Sequence, residues 1–458
     1  MKGYREIFRF VWPLALGMMN NAVLQFTDRA FLAHESMASL EASLPASMLA
    51  YVFLGFFQSV VGYSGTFVAQ YCGAKDWEMC RRSYRAGTCL ALLSGLVTIA
   101  ALPFGDLVFE TFSNGAEVIS RQKAYYGICT AGGVFLFGQM AAQAYFTGLG
   151  RTRLVLWVNV IGNLINIAAD PILIFGMWGL PKLGMAGAAY ATVASTAVQW
   201  LILFAIAEAS LRRVAESSAD ALRRNLERPP FRRFGDSTLS LAVRILRFGV
   251  PAGVYSVLSS LSFTVFVFFT GDVGHVAAAA SNACFSVCYL LFAPMEGFSL
   301  GAAALVGQCR GAGDDEGAMV VGTRTVAMGV VLVAVASVLV LVLRHPVLSL
   351  YAPADPATAA EFHALGAMLF VLMAFWQVFD AADAILCGAL RGAGDTHFVM
   401  WWMLFVGFVV WLPLVWAVSV VHNTMPALWS TVIVYAVVIC VGSLARWRRR
   451  CWRRVSII

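Results

Sequence analysis

Charge is what this sequence has little of. Only 12% of its 458 residues are charged, against about a quarter in ordinary soluble domains, and 60% are hydrophobic. No soluble core absorbs that much apolar surface, so the composition excludes a soluble globular protein and leaves a polytopic membrane protein. The ten cysteines form no CxxC pair, and Cys72, Cys89, Cys129, Cys284, Cys288, Cys387 and Cys440 lie inside apolar runs. They read as small apolar fillers rather than redox or metal-binding groups. There is no HExxH, and the six histidines fall near the ends of apolar runs, which leaves an intramembrane enzyme without its ligands. No run shows a filter-like sequence or a ring of charge, which argues against a channel. Neither an enzymatic activity nor a cofactor is expected.

What is present is a series of apolar runs of the roughly 20 residues a bilayer demands. About twelve are expected, near 9–33, 45–71, 86–110, 123–147, 154–178, 187–210, 248–271, 275–308, 324–347, 361–388, 397–421 and 426–446. The opening MKGYREIFRF leads into a run too long for a signal sequence and without a small-residue cleavage site, so it reads as a retained first helix. The formal net charge of +7 sits between the spans, where it reports orientation and not a nucleic-acid partner. Alternate connections hold Lys75, Arg81, Arg82 and Arg85, then Arg151 and Arg153, then Arg310 and Arg324, then Arg391. The connection from Leu211 to Arg247, with Pro229 and Pro230, is the most basic, and the opposite set begins with Glu35 and Glu41. Both termini are therefore expected in the cytoplasm, with the basic connection against anionic lipid.

An internal repeat organises the chain. Gln70, Gly73, Ala74, Asp76 and Glu78 share the spacing of Gln308, Gly311, Ala312, Asp314 and Glu316, an offset of 238 residues (308 − 70). The same offset relates Pro13 to Pro251, and Gly148, Gly150 and Thr152 recur 244 residues on (392 − 148) as Gly392, Gly394 and Thr396. Six spans per half is an even number, so both halves enter the membrane in the same direction. The expected fold is all-α, with two six-helix lobes related by a pseudo-two-fold along the membrane normal. The lobes are expected at 1–210 and 248–446, joined by a basic cytoplasmic linker at 211–247 and followed by a basic tail at 447–458.

Polar residues inside the spans locate the candidate site, because a charged side chain facing lipid costs roughly 3 kcal/mol or more. The first span carries Asn20, Asn21, Gln25 and Asp28; Arg29 follows, and the rival reading has Asp28 and Arg29 marking the end of the span. In WVNVIGNLINIAADPILIFG, spacings of 4, 3 and 4 put Asn159, Asn163, Asn166 and Asp170 on one helical face that ends at Pro171. An amide-rich face ending in a carboxylate suits a proton or a small cation, and interhelical hydrogen bonding is its structural alternative. In the second half Asp380 and Asp383 lie one turn apart, with Gln377 one turn before them. Asp383 is also close enough in sequence to Arg391 to be hydrated or ion-paired. The aromatic side chains Phe375, Trp376 and Phe379 could stack on a planar cation or simply pack.

In this order the motifs resemble the multidrug and toxic compound extrusion (MATE) transporters: Pro13 with Asp28, the Q-x-x-G-A repeat, NxxxDPILIFG from Asn166 to Gly176, and the run from Asp380 to Gly392. The resemblance implies efflux of amphipathic or cationic organic compounds in exchange for H⁺ or Na⁺, by alternating access of the two lobes. Position by position it implies a coupling-ion site at Asp28, Asn166 and Asp170, with Asn163 and Thr192 beside it, as a proton or Na⁺ site. It implies second-lobe acids at Asp380 and Asp383, and a substrate cavity touching Gln25, Asn21, Tyr255, Ser259, Trp376, Gln377 and Phe379. Some members carry a glutamate in the seventh span where this chain has PAGVYSVLSSLSF, which moves weight to the first-half cluster and resembles the DNA-damage-inducible branch. The partners implied are small organic molecules and the lipid bilayer, with no nucleic acid. A monomer in a bacterial inner membrane is expected. The alternative function is a flippase for a lipid-linked saccharide or another lipid, which would call for arginines or lysines in the cavity.

Overall fold

The computed structural model describes residues 3–112, 115–223, 237–271, 273–353 and 355–458. Among them no strand occurs, as apolar runs that must satisfy their own backbone in lipid require. The helices in order are α1 (Tyr4–Glu35), α2 (Met37–Gly62), α3 (Ser64–Gly73), α4 (Trp77–Ile99), α5 (Leu102–Phe112), α6 (Ala116–Ala131), α7 (Gly133–Gly148), α8 (Thr152–Phe175) and α9 (Met185–Arg223). They continue as α10 (Thr238–Gly271), α11 (His275–Gly311), α12 (Asp315–Val342), α13 (Arg344–Ser349), α14 (Pro356–Ala393), α15 (Thr396–Leu404), α16 (Leu412–Val421) and α17 (Met425–Arg448). A π-helical turn, Phe405–Trp411, joins α15 to α16 just before Pro413.

Ten of the described helical stretches are long and apolar enough to cross a membrane, and the bent pair α4 and α5, which turns by 41°, makes an eleventh. The twelfth expected span, 123–147, falls on α6 and α7, which meet at Gly132. A side chain at Gly132 would collide with Val193, so the residue there has to be small. The basic connection is shorter than expected, because α9 runs on to Arg223 and α10 begins at Thr238. Its centre, including Pro229 and Pro230, lies outside the described residues, and so does the side chain of Glu41.

The chain forms two compact units. One comprises Val23–Gly253 with Gly311–Gly313 and Ile457–Ile458; the other comprises Met1–Ala22, Val254–Arg310 and Asp314–Ser456. The division falls inside α1 and inside α10, not at the lobe boundaries 210 and 248. The second unit has an aliphatic core around Leu14, Phe298, Leu305, Val321 and Ile385, and an aromatic one around Phe266, Phe370, Trp411 and Trp429. The residues after α17 fold back onto this unit: Trp452 is buried, stacks on Trp447 at 5.0 Å, and Arg310 donates to the Val455 carbonyl at 2.6 Å.

The sequence repeat is a repeat of corners. After α3, Asp76 N–H donates to Tyr71 O at 2.9 Å; after α11, Asp314 N–H donates to Cys309 O, 238 residues later, at the same distance. Each aspartate then caps the next helix, Asp76 accepting from Met79 N–H and Asp314 from Gly317 N–H. The corner itself needs a left-handed residue, which is Lys75 (φ 60°) in one copy and Gly313 (φ 72°) in the other. Before α8 and α15 the same economy recurs, with Gly150 (φ 82°) and Gly394 (φ 99°), Arg151 N–H donating to Phe146 O and Asp395 N–H to Leu390 O.

Candidate functional site

The first site is built in the unit that contains residues 23–253. The polar face of α8 is buried as its spacing requires, Asn159 and Asn163 almost fully and Asn166 and Asp170 completely. Asn159 accepts from Gln143 Nε2 of α7 at 2.7 Å. Asn166 is the hub. The donors and acceptors around its amide fix its orientation, with the oxygen accepting from Thr192 N–H at 3.1 Å. The amide nitrogen then donates to Asp170 Oδ2 and to Asp28 Oδ1, both at 3.2 Å.

Two carboxyl groups therefore share one amide donor, and Asp170 Oδ1 is buried without a hydrogen bond. Two negative charges this close in a low-dielectric interior repel strongly, and a proton or a monovalent cation between them removes the repulsion. Thr192 joins the cluster through its backbone N–H, while its hydroxyl donates back to Ala188 O at 3.0 Å. Among the described residues no three His, Cys, Asp or Glu side chains gather as ligands for a metal ion, so the oxygen set here is two carboxyls with an amide.

The structure adds two residues that the sequence reading did not weigh. On α6, Tyr125 shares hydrogen bonds with Ser47 and Cys129, and both Tyr125 and Cys129 interact electrostatically with Asp28. Spacings of 4 from Arg121 to Tyr125 to Cys129 give that face of α6 its signal, but a lone tyrosine and cysteine in an apolar helix look like packing.

At the end of α1 the same helix carries a different acid. Glu35 accepts from Ser36 Oγ at 2.7 Å, Ser39 Oγ at 2.6 Å, Arg121 Nη1 at 2.8 Å and Lys182 Nζ at 3.0 Å. Burial works against its charge, but the hydroxyls of Ser39 and Ser36 and the cations of Lys182 and Arg121 hold its carboxyl at about 2, below the ordinary 4.5. A recess of about 370 Å³ opens beside it, lined by Ser120, Arg121, Lys182 and Gly184.

In the other unit α14 carries Asp380, half-buried, and Asp383, 4% exposed. Cys387 Sγ donates to Asp383 Oδ2 at 3.5 Å, and Asp383 Oδ1 is buried without a hydrogen bond. Arg391 interacts electrostatically with Asp383, donates to Ser299 Oγ at 3.1 Å and lies over the ring of Tyr255 at 5.6 Å. Of the residues expected to line a substrate cavity, Gln25 is exposed and Asn21, Tyr255, Ser259 and Phe379 are half-buried. Trp376 and Gln377 are buried, Trp376 stacking on Phe263 at 6.2 Å and Gln377 Nε2 donating to Cys288 O at 3.2 Å.

The family model described as MatE matches residues 13–172 and 251–417. The chain belongs to the MatE family. The two matched stretches begin at Pro13 and Pro251, the pair related by the 238-residue repeat. As a member of this family the protein is a multi-pass membrane transporter and not an enzyme. It is similar to the multidrug resistance protein NorM of Burkholderia vietnamiensis, 26% identical over 86% of this chain and 82% of that protein. The probable multidrug resistance protein NorM of Thermotoga maritima is likewise 26% identical, over 85% and 81%. The fold matches a MATE transporter solved in complex with MaD5 (TM-score 0.82, 17% identical, 99% of this chain and 98% of that one). It also matches a MOP superfamily transporter from Pyrococcus furiosus (TM-score 0.80, 18% identical, 99% and 98%).

Proposed function

We propose that this MatE protein is a secondary active antiporter that exports amphipathic or cationic organic compounds in exchange for H⁺ or Na⁺, by alternating access of its two lobes. The observation that carries the reading is the pair Asp28 and Asp170 sharing the single amide donor of Asn166, with Asp170 Oδ1 left without a hydrogen bond. Such a site is short of positive charge and has oxygen atoms to spare, so it takes up a proton or Na⁺ without a cofactor. The names of the bacterial NorM relatives support multidrug compounds as the cargo. In this reading Asp28, Asn166 and Asp170 hold the coupling ion, with Asn163 and Thr192 around them and Asp380 and Asp383 as second-lobe acids.

Uptake of the ion changes the charge on α1 near the place where Pro13 deprives the helix of a backbone bond. The ion drives transport only because it binds the two conformations with different affinity. A cationic substrate competing for the same negative charge supplies that difference. The distribution of arginines supports a monomer in the bacterial inner membrane with both termini cytoplasmic and no nucleic-acid partner.

The test is efflux of ethidium from proteoliposomes under separately imposed H⁺ and Na⁺ gradients, comparing the natural protein with Asp28→Asn. Gradient-driven export that is lost in Asp28→Asn upholds the reading, and the active gradient names the ion. Correctly inserted protein that moves no organic cation under either gradient transfers the weight to a lipid flippase.

A further inference from the structure

One acid in the second unit belongs to neither set above. Glu296 lies in α11, in the run Ala-Pro-Met-Glu-Gly-Phe-Ser, 21 residues into a 37-residue helix that reads as a membrane span. Met295, Gly297, Phe298 and Ser299 around it are buried, and Glu296 is exposed. It is not alone on that face. Asn282, Ser286 and Tyr289 are also exposed, and the spacings 4, 3 and 7 place all four on one side of the helix. The stripe covers 14 residues, about 21 Å of helix, so it cannot be relieved by snorkelling to one surface of the bilayer. A polar stripe of that length ending in a carboxylate faces water or a ligand, not lipid.

The neighbouring helix supplies the rest of the charge. Ser299 Oγ donates to Ala384 O at 2.7 Å, and a side chain at Gly388 would collide with Ser299 O, so α11 and α14 run in close contact there. One turn back along each helix stand Glu296 and Asp380. Asp380 interacts electrostatically with both Glu296 and Asp383, and Arg391 is the cation that acts on Glu296. Two buried oxygens on the same stretch of α14, Gln377 Oε1 and Asp383 Oδ1, accept no hydrogen bond. Three carboxyls against one guanidinium leave a surplus of negative charge beside oxygens that lack donors.

We infer that the exposed stripe of α11 is a recognition wall for an aromatic organic cation, with Glu296 meeting its charge beside Asp380 and Tyr289 stacking on its ring system. Tyr289 and Glu296 are two turns apart, about 10.5 Å along the helix, which fits a cation with an extended flat body. The inference rests on the efflux reading of this protein and narrows its cargo.

The experiment measures binding of two probes to the purified full chain in detergent. One is ethidium, which is flat and aromatic; the other is tetraethylammonium, which is a cation without a ring. Glu296→Gln is expected to weaken both about tenfold, and Glu296→Asp to recover most of the loss. Tyr289→Ala is expected to weaken ethidium alone. Unchanged binding of both probes in Glu296→Gln overturns the inference while leaving the efflux reading in place. A natural protein that binds neither probe overturns the efflux reading and takes this inference with it. Equal losses in Glu296→Gln and Glu296→Asp show damage to packing and also overturn it.

Discussion

Asp28 and Glu35 stand seven residues apart on one helix and meet opposite fates. Glu35 gathers two hydroxyls, a guanidinium and an ammonium around one carboxylate. Asp28 shares a single amide hydrogen with a second acid. The residue type and the helix are the same, so the number of donors decides what each acid becomes. An oversupplied carboxylate is a fixed anion that ties α1 to α6 and to the connection before α9, whereas an undersupplied one must borrow a cation from solution. The helix thus carries an anchor at its end and an exchangeable site two turns earlier.

The comparison breaks most sharply at Asp28. Asp28→Asn supplies the missing donor permanently, and gradient-driven export should fall to background while the protein still inserts; retained coupling would show that the exchange happens elsewhere. Asn166→Ala removes the shared donor and leaves both acids, so the half-saturating concentration of the driving ion should shift about ten- to a hundredfold, a loss of roughly 1–3 kcal/mol for hydrogen bonds to charged groups.

At the other end of α1, Glu35→Gln should leave transport coupled and lower thermal stability by a few degrees. Arg121 and Lys182 lose their carboxylate, but both side chains are partly exposed, which softens the penalty. That stability difference has its own pH signature. The folded carboxyl at about 2 lies below its ordinary 4.5, so the stabilisation is complete above about pH 4.5 and is lost as pH falls towards 2. Melting temperatures of the natural protein and Glu35→Gln should converge over that window and stay apart at neutral pH. The smallest effect belongs to Thr192→Val. The hydrogen bond to Asn166 uses the backbone N–H, so the affinity for the driving ion should change less than about threefold, under ~0.7 kcal/mol.

How much of this was legible beforehand follows from how each residue contrasts with its surroundings. Asp28, Asn166 and Asp170 stand out because amides and acids are rare in apolar runs, and helical spacing alone brings the α8 residues to one face. Tyr125 and Cys129 did not stand out, since each is an ordinary packing residue until its contact with Asp28 is seen. Glu296 was passed over as a lone acid, although Asn282, Ser286 and Tyr289 share its face. For Thr192 the position was readable but not the atom, because a backbone donor leaves no trace in sequence. The spans were readable from apolar length, and the bend between α4 and α5 and the break at Gly132 were not. Both depend on how neighbouring helices press on small residues rather than on a run of hydrophobicity. The division of the chain within α1 and α10 was equally hidden, since a continuous helix gives no local mark where its packing partners change.

The twin corners at 70–78 and 308–316 also carry a history. Two stretches 238 residues apart close the same backbone hydrogen bond and cap the following helix with the same residue, which is the signature of one ancestral half copied and joined to itself. Since the duplication the copies have diverged where the fold tolerates it, one keeping a glycine in the left-handed position and the other carrying Lys75 there. The older copy of that corner need not be guessed at. Each half preserves a working answer for the other, and exchanging single residues between them asks which of the two has drifted further from the ancestor.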